Sequence, residues 1–311
     1  MKKVHFFSLL ALLILITSAC NGPKLLTENI HYKKGDTYTY RQNSDITSTV
    51  SVMGKNVVNE QKQGYLFENK ITEIKPNGDV NMVSTLKAIN YEMETMGNKI
   101  KYNSEDKSQN EQAESIEGIY ANMIGQQFNL LLDSKGQLKE FSGSTEMFQK
   151  IEEQMKKDDL PTEGLEVMKG QFGDDAMTQM YGNSMTSLLP TTPVKIGDSW
   201  NKSMDMKILG LKLDMKYTLT KIANGKAFLK IDGIATPTPD SEPMKMMGME
   251  MKYNLSGTQS GTAIVDLKTG FPTTSTVKQD FSGTMTMSGG MLPGEMDADM
   301  TIKGTTTYVQ E

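Results

Sequence analysis

Leu211-Lys212-Leu213-Asp214-Met215-Lys216-Tyr217-Thr218-Leu219-Thr220 alternates apolar and polar residues without a break. Successive side chains of a strand point to opposite faces, so this alternation specifies a strand with one buried face and one wet face. Asn224-Gly225 then supplies the dipeptide that suits a type I′ hairpin turn, with a partner strand expected over residues 228–231. The same period of two continues toward the C-terminus. A Pro-rich loop, Thr236-Pro237-Thr238-Pro239, precedes a strand with Met247, Met249, Met251, Tyr253 and Leu255 on one face. Ala263, Val265 and Leu267 lead through Lys268-Thr269-Gly270 into a long strand ending near Met287, and a last strand runs over about residues 298–308.

Toward the N-terminus the pattern recurs. Tyr38, Tyr40, Ile46, Val50 and Val52 share one parity, while Arg41, Asn43, Asp45, Thr47 and Thr49 fill the other. Gly54-Lys55-Asn56 turns this strand into one over residues 57–74, which ends at the hairpin signal Pro76-Asn77-Gly78-Asp79. In the next strand the apolar parity shifts between Leu86 and Ile89, which predicts a bulge near Lys87-Ala88. After a turn at Gly97-Asn98, a polar loop over 104–115 and a short helix over 116–126 precede a hairpin of residues 128–132 and 138–141.

Between the two β regions the period changes. Met147, Ile151 and Met155 recur at four-residue spacing behind Ser144 as N-cap, the mark of an amphipathic helix. Leu165, Met168 and Phe172 suggest a second helix, and Asp174 a cap for a third carrying Met177, Met180 and Tyr181. The expected fold is therefore mostly β. Long antiparallel strands form a curved sheet or open barrel in two similar halves, residues 31–143 and 191–311, with a helical insertion over 144–190.

The halves resemble diverged copies. Lys34-Gly35-Asp36 matches Ile196-Gly197-Asp198, each with an aromatic two residues later, Tyr38 and Trp200. Asp133-Ser134-Lys135-Gly136 is similar to Asp266-Leu267-Lys268-Thr269-Gly270, and Phe141-Ser142-Gly143 to Phe281-Ser282-Gly283. Gly35 and Gly197 are expected to turn the chain into each first strand, with Tyr38 and Trp200 seeding the two cores.

The first residues read differently. Lys2 and Lys3 precede an apolar run from Val4 to Ile16, followed by Thr17-Ser18-Ala19-Cys20. A charged head, a short apolar core and small residues before the cut make a signal peptide over 1–19; the core is too short to span a bilayer, which needs roughly 20 apolar residues. The cut site resembles the lipobox of bacterial lipoproteins, with Thr17 standing where leucine is usual. The resemblance implies lipidation of Cys20, a tether over 20–30, and a membrane as the partner held by that lipid. Asn21 and Gly22 follow without an acidic run, which favours the outer membrane facing the periplasm.

Composition narrows the function classes. The chain has net charge −5, and loss of Lys2 and Lys3 makes the mature form more acidic still, which argues against nucleic acid as a partner. Cys20 is the sole cysteine, so no disulfide forms within the chain, and His31 is the one histidine left after export. Neither a nucleophile elbow nor a phosphate-binding glycine pattern is present, so no catalytic residue and no cofactor is expected.

Twenty-five methionines invite two readings. Thioethers at Met246, Met247, Met249 and Met251 are soft ligands of the kind that select Cu(I). Alternatively, methionine on alternating strand positions simply fills an adaptable apolar face. On the second reading Leu213, Met215, Tyr217, Met249, Met251 and Tyr253 line a cavity for an acyl chain or another hydrophobic ligand. A solid barrel whose faces bind other envelope proteins is the structural alternative.

The signal and Cys20, Lys34-Gly35-Asp36, Leu189-Pro190, and Pro193-Val194-Lys195-Ile196-Gly197-Asp198-Ser199-Trp200 together resemble a family of Gram-negative envelope lipoproteins with no assigned activity. More distantly, a curved antiparallel sheet crossed by helices is similar to half-barrel lipoprotein carriers. That likeness implies an architecture and no particular residues.

Overall fold

The computed structural model describes residues 30–311 apart from 53, 158–164, 166–168, 170–172, 181–187, 207–208, 239–242, 247 and 291–293. The signal sequence and Cys20, with Met168, Phe172, Tyr181 and Met247, lie outside the described residues. In the first half the strands are β1 (Thr37–Val52), β2 (Lys55–Ile74), β3 (Val80–Thr95), β4 (Asn98–Asn103), β5 (Gln127–Leu132) and β6 (Leu138–Ser142). In the second they are β7 (Ser199–Met206), β8 (Leu211–Ala223), β9 (Lys226–Pro237), β10 (Met244–Met246), β11 (Met249–Asp266), β12 (Pro272–Gly289) and β13 (Met296–Gln310). Among the described residues three α-helices, α1 (Glu114–Met123), α2 (Ser144–Lys157) and α3 (Asp174–Met180), fall between β4 and β7.

All of these strands form one 13-stranded antiparallel sheet in the order β6-β5-β3-β2-β1-β13-β12-β11-β9-β8-β7, with β4 beside β3 and β10 beside β11. The halves are thus one continuous sheet rather than two packed ones. It is open: its ends, β6 and β7, each pair on one side only. The first and last strands meet at its centre, where β1 runs antiparallel to β13 from Tyr40 opposite Gln310 to Ser51 opposite Asp299.

The local devices follow the sequence closely. Asn224 and Gly225 both take positive φ, 51° and 71°, the backbone a type I′ turn requires. The register shift between Leu66 and Phe67 leaves Lys87 as the extra residue of β3, the bulge anticipated from its change of parity. One strand is broken where continuity is expected. β10 ends at Met246 and β11 begins at Met249, because Gly248 turns the chain with φ 75°.

The two Gly-Asp turns make the same hydrogen bonds. Gly35 N–H donates to Ile71 C=O and Ile71 N–H to Asp36 C=O; Gly197 N–H donates to Leu219 C=O and Leu219 N–H to Asp198 C=O. Gly35 and Gly197 share the same left-handed backbone, φ 93° and 97°. Each half is then a five-stranded antiparallel path, β1-β2-β3-β5-β6 and β7-β8-β9-β11-β12, and β13 joins the end of the second to the start of the first.

One face of the sheet carries the core. In the first half Tyr40, Phe67, Ile71, Met82, Leu86, Phe128 and Leu130 pack with Met147, Phe148, Ile151 and Met155 of α2 in a single cluster. At the N-terminus of α2 the Ser144 hydroxyl donates to Asp174 Oδ1 at 2.6 Å, and the Ser144 N–H to the same oxygen at 3.2 Å. Asp174, expected to cap its own helix, therefore places its carboxylate against the positive end of another one. In the second half Leu211, Leu213, Leu219, Leu229, Leu255, Val265 and Phe281 cluster with Leu188 and Leu189. Each fully buried leucine contributes about 2 kcal/mol of transfer free energy. Tyr38 and Trp200 do not seed these cores. Both rings are half-buried at the margin of their clusters, because each sits beside the turn that opens its half.

The other face is polar at the centre of the sheet. β13 presents Thr301, Lys303, Thr305 and Thr307 there, and β12 presents Thr274, Thr276, Lys278 and Asp280 beside them. Lys303 pairs with Asp280 at 3.2 Å across these strands. A barrel that crosses a membrane with its strands turns an apolar band outward, and this face is built for water instead.

A candidate ligand cavity in the curl of the second half

A cavity of about 290 Å³ opens on the core-bearing face, lined from β7, β8, β9, β11, β12, β13 and β1. Seven flat strands would cover roughly 29 Å at 4.8 Å spacing. A space this small touches all seven only because the sheet curls around it. Glycines let it curl. Gly233, Gly257, Gly261 and Gly304 share the core-facing parity with Gln259, Gln279 and Ile302. A Cβ on Gly233 would stand 2.5 Å from Met215 Sδ, and one on Gly304 would stand 2.9 Å from the Asp45 carbonyl oxygen. The thioether of Met215 lies in the space that glycine leaves.

The lining is mostly apolar toward β7 and β8, with Lys202 and Ser203 as polar exceptions, and mostly polar toward the centre, with Val277 and Tyr308 as the apolar ones. Met204, Met206, Met215, Tyr217 and Ile231 form the apolar wall, closed at one side by Leu188. The Trp200 ring stacks on Tyr217, with centroids 6.0 Å apart, and its indole N–H donates to Leu188 C=O at 3.1 Å. Trp200 thus ties the wall to the segment that covers it. Burial pushes the Tyr217 phenol up to about 12, so it is a neutral hydrogen-bonding group at physiological pH.

Opposite this wall stand Gln42, Gln259, Gln279, Ser275 and Thr306. Gln259 donates to Gln279 Oε1 at 3.4 Å, and Thr306 shares a hydroxyl hydrogen bond with Ser44 at 3.0 Å. Among the described residues Lys202 is the one charged residue lining the cavity. Apolar walls with a few convergent polar groups are the usual make-up of small-molecule sites, and this volume sits at the lower end of their range.

Of the residues singled out from the sequence, Met215 and Tyr217 line this cavity. Leu213 is fully buried in the second core cluster, while Met249, Met251 and Tyr253 lie further along β11, beyond the lining. The polar stripe escaped sequence reading because Gly257, Gln259 and Gly261 carry no apolar signal between Leu255 and Ala263. Their parity with those two residues was the available clue.

On the opposite face a more open groove of about 510 Å³ surrounds Gly64, lined by Asn43, Lys62, Asn90, Glu92 and Lys101. Glu92 is engaged there by Lys62 and by neighbouring Lys99, each at 3.5 Å. They hold the Glu92 carboxyl below the usual glutamate range against the opposing effect of burial. Arg41 pins the 104–111 loop to the rim of this face, bonding Glu105 at 2.9 Å and Glu311 at 2.6 Å. Among the described residues no three His, Cys, Asp or Glu side chains converge as metal ligands, and no helix is long and apolar enough to cross a membrane.

No curated protein sequence matches this chain. Among solved structures, lipovitellin, described for its lipid–protein interactions, aligns over 90% of this chain at 7% identity with TM-score 0.46. This chain spans about a quarter of the lipovitellin chain, 25%. An outer membrane channel from Pseudomonas putida F1 aligns over 91% of this chain and 97% of its own at 7% identity, TM-score 0.23. OccK5 (OpdH) of Pseudomonas aeruginosa aligns over 89% and 98% at 6% identity, TM-score 0.24. With identities of 6–7% and TM-scores below 0.5, these are distant resemblances only. The model of DUF6263, a family of unknown function, matches residues 77–272, from the β2–β3 turn to the start of β12, and the chain belongs to that family.

Proposed function

We propose that this chain is a non-enzymatic envelope lipoprotein that holds one slender hydrophobic or amphiphilic ligand in the curl of its second half. The observation that carries the reading is the cavity itself, with Met204, Met206, Met215 and Ile231 on one side and Gln42, Gln259, Gln279 and Thr306 on the other. Such a division suits a ligand with an apolar tail and a polar head, the tail against thioethers that adapt to its shape. Anchoring through Cys20 would hold the carrier at a membrane, with the outer membrane facing the periplasm as the preferred site. The water-adapted opposite face fits a body that stands off the bilayer.

Native mass spectrometry of protein purified from membranes tests the reading. A co-purifying lipid mass is expected, and Val277→Trp, which fills the cavity from β12, should lose it while keeping the circular dichroism spectrum. A bare chain, or a lipid retained equally by Val277→Trp, overturns the cavity as the site. A second polypeptide in place of the lipid would favour the scaffold alternative. Fatty-acid labelling of a Cys20→Ala variant tests the anchor separately, since continued incorporation would remove it.

A further inference from the structure

Methionine is a weaker strand former than β-branched or aromatic residues, yet one end of the second half is built largely from it. Met244 on β10 stands opposite Met251 on β11. Met251 stands opposite Met287 on β12, and Met287 opposite Met296 on β13. Residues directly opposite on neighbouring strands share a face, with Cβ atoms about 4.5–5.5 Å apart. The four side chains therefore form one row across four strands. Met251 is buried, and Met244, Met287 and Met296 are half-buried, so the row is shielded without being sealed. Met249 follows two residues further along the same face. None of these five residues lines the ligand cavity.

A thioether on three rotatable bonds reaches well beyond half the distance between neighbours, so two or three sulfurs of the row can meet at a point between strands. Packing alone asks for no sulfur, and leucine or valine would serve it on a strand. Soft sulfur donors select Cu(I) and related d¹⁰ ions, while the row contains no carboxylate to favour harder cations. Register also changes the membership of the site. The linear run Met246–Met251 does not supply it alone, because Met287 and Met296 arrive from other strands.

We propose that the in-register row Met244, Met251, Met287 and Met296 is a thioether site for Cu(I), distinct from the ligand cavity and independent of what that cavity holds. The step is ligand exchange alone: sulfur lone pairs replace the ion's existing ligands and no electron is transferred.

The full chain is titrated with Ag(I) as a surrogate and with Cu(I) kept reduced by ascorbate, and read by native mass spectrometry and copper-edge X-ray absorption. One ion per chain in a sulfur-only first shell is expected. The double variant Met251→Leu with Met287→Leu should bind at least tenfold more weakly, while Met82→Leu in the first core should bind as the wild type does. If the double variant fails to fold, Met296→Leu alone must weaken binding at least threefold. A wild-type chain that retains no ion, an oxygen or nitrogen first shell, or row variants that bind as tightly as the wild type each overturn the site.

Discussion

The two halves open with the same turn and follow the same strand path, yet they finish differently. In the first, β5 and β6 are 6 and 5 residues long, and α2 lays Met147, Phe148, Ile151 and Met155 over the sheet. In the second, β11 and β12 each run 18 residues, and inward-facing glycines let those strands curl. The inner face of the first half carries large rings, Tyr65, Phe67 and Phe128, where the second carries Gly233, Gly257 and Gly304. One solution buries its apolar face with a helix and is filled. The other bends the sheet over itself and leaves a cavity. A shared topology therefore settles the strand order, while inward side-chain volume decides whether a half is solid or hollow.

That contrast can be attacked by mutation, and the largest effect should come from the filled half. Phe128→Ala removes a ring buried between the sheet and its helical cover, and should destabilise by about 3–5 kcal/mol. The sheet being continuous, denaturant unfolding should remain a single transition; a two-step curve for this variant would show that the halves are separate cooperative units. In the hollow half Trp200→Ala removes a half-buried ring and its hydrogen bond to Leu188, and should cost about 2 kcal/mol. A cost equal to that of Phe128→Ala would mean the wall around the cavity is as tightly packed as the first core.

Smaller still, Ser144→Ala breaks the bond to Asp174 that fastens the helical cover, and should cost about 1 kcal/mol in the thermal midpoint. An unchanged midpoint would show that the hydroxyl bond adds nothing to the backbone N–H bond and the apolar stripe of α2. Least of all, Arg41→Ala should cost under about 1 kcal/mol, because its ion pairs are solvent-exposed. Hydrogen bonds from Arg41 hold the Glu105 carboxyl below the ordinary glutamate range. The pair's contribution is therefore complete above that range and is lost as pH falls through the ordinary value to the lowered one. Wild type and Arg41→Ala should converge in stability in acid and differ most near neutrality and at low salt; a gap that widens on acidification would contradict the sign.

How far the sequence carried varies along the chain. Strict alternation over Leu211–Leu219 placed β8, and the parity change before Ile89 located a single extra residue, because both are local consequences of strand geometry. Gly248 breaking β10 from β11 was hidden under an unbroken apolar parity from Met247 to Leu255. The Met215 and Tyr217 wall of the cavity was legible as one face of one strand. Its other wall was not, since Gln42 and Thr306 come together only through β1–β13 pairing, for which neither strand carries a local signal. For the same reason the methionine row emerges from register and not from the run of methionines in β10 and β11.

The β1–β13 seam has a consequence for how the chain reaches this structure. Glu311 N–H donates to Thr39 C=O, and Ser44 meets Thr306 at a separation of 262 residues. Topology with so high a contact order folds slowly, since loop closure comes long before its reward. Until the last strand arrives, β1 is an open edge, and an open edge invites pairing with another chain. Arg41 and Asp45, placed on that strand's wet face, are the kind of charges that discourage such pairing during the wait. Pairing of β13 with β1 thus ends the period of aggregation risk, so deleting β13 should affect recovery of soluble protein more severely than the loss of one strand in thirteen would suggest.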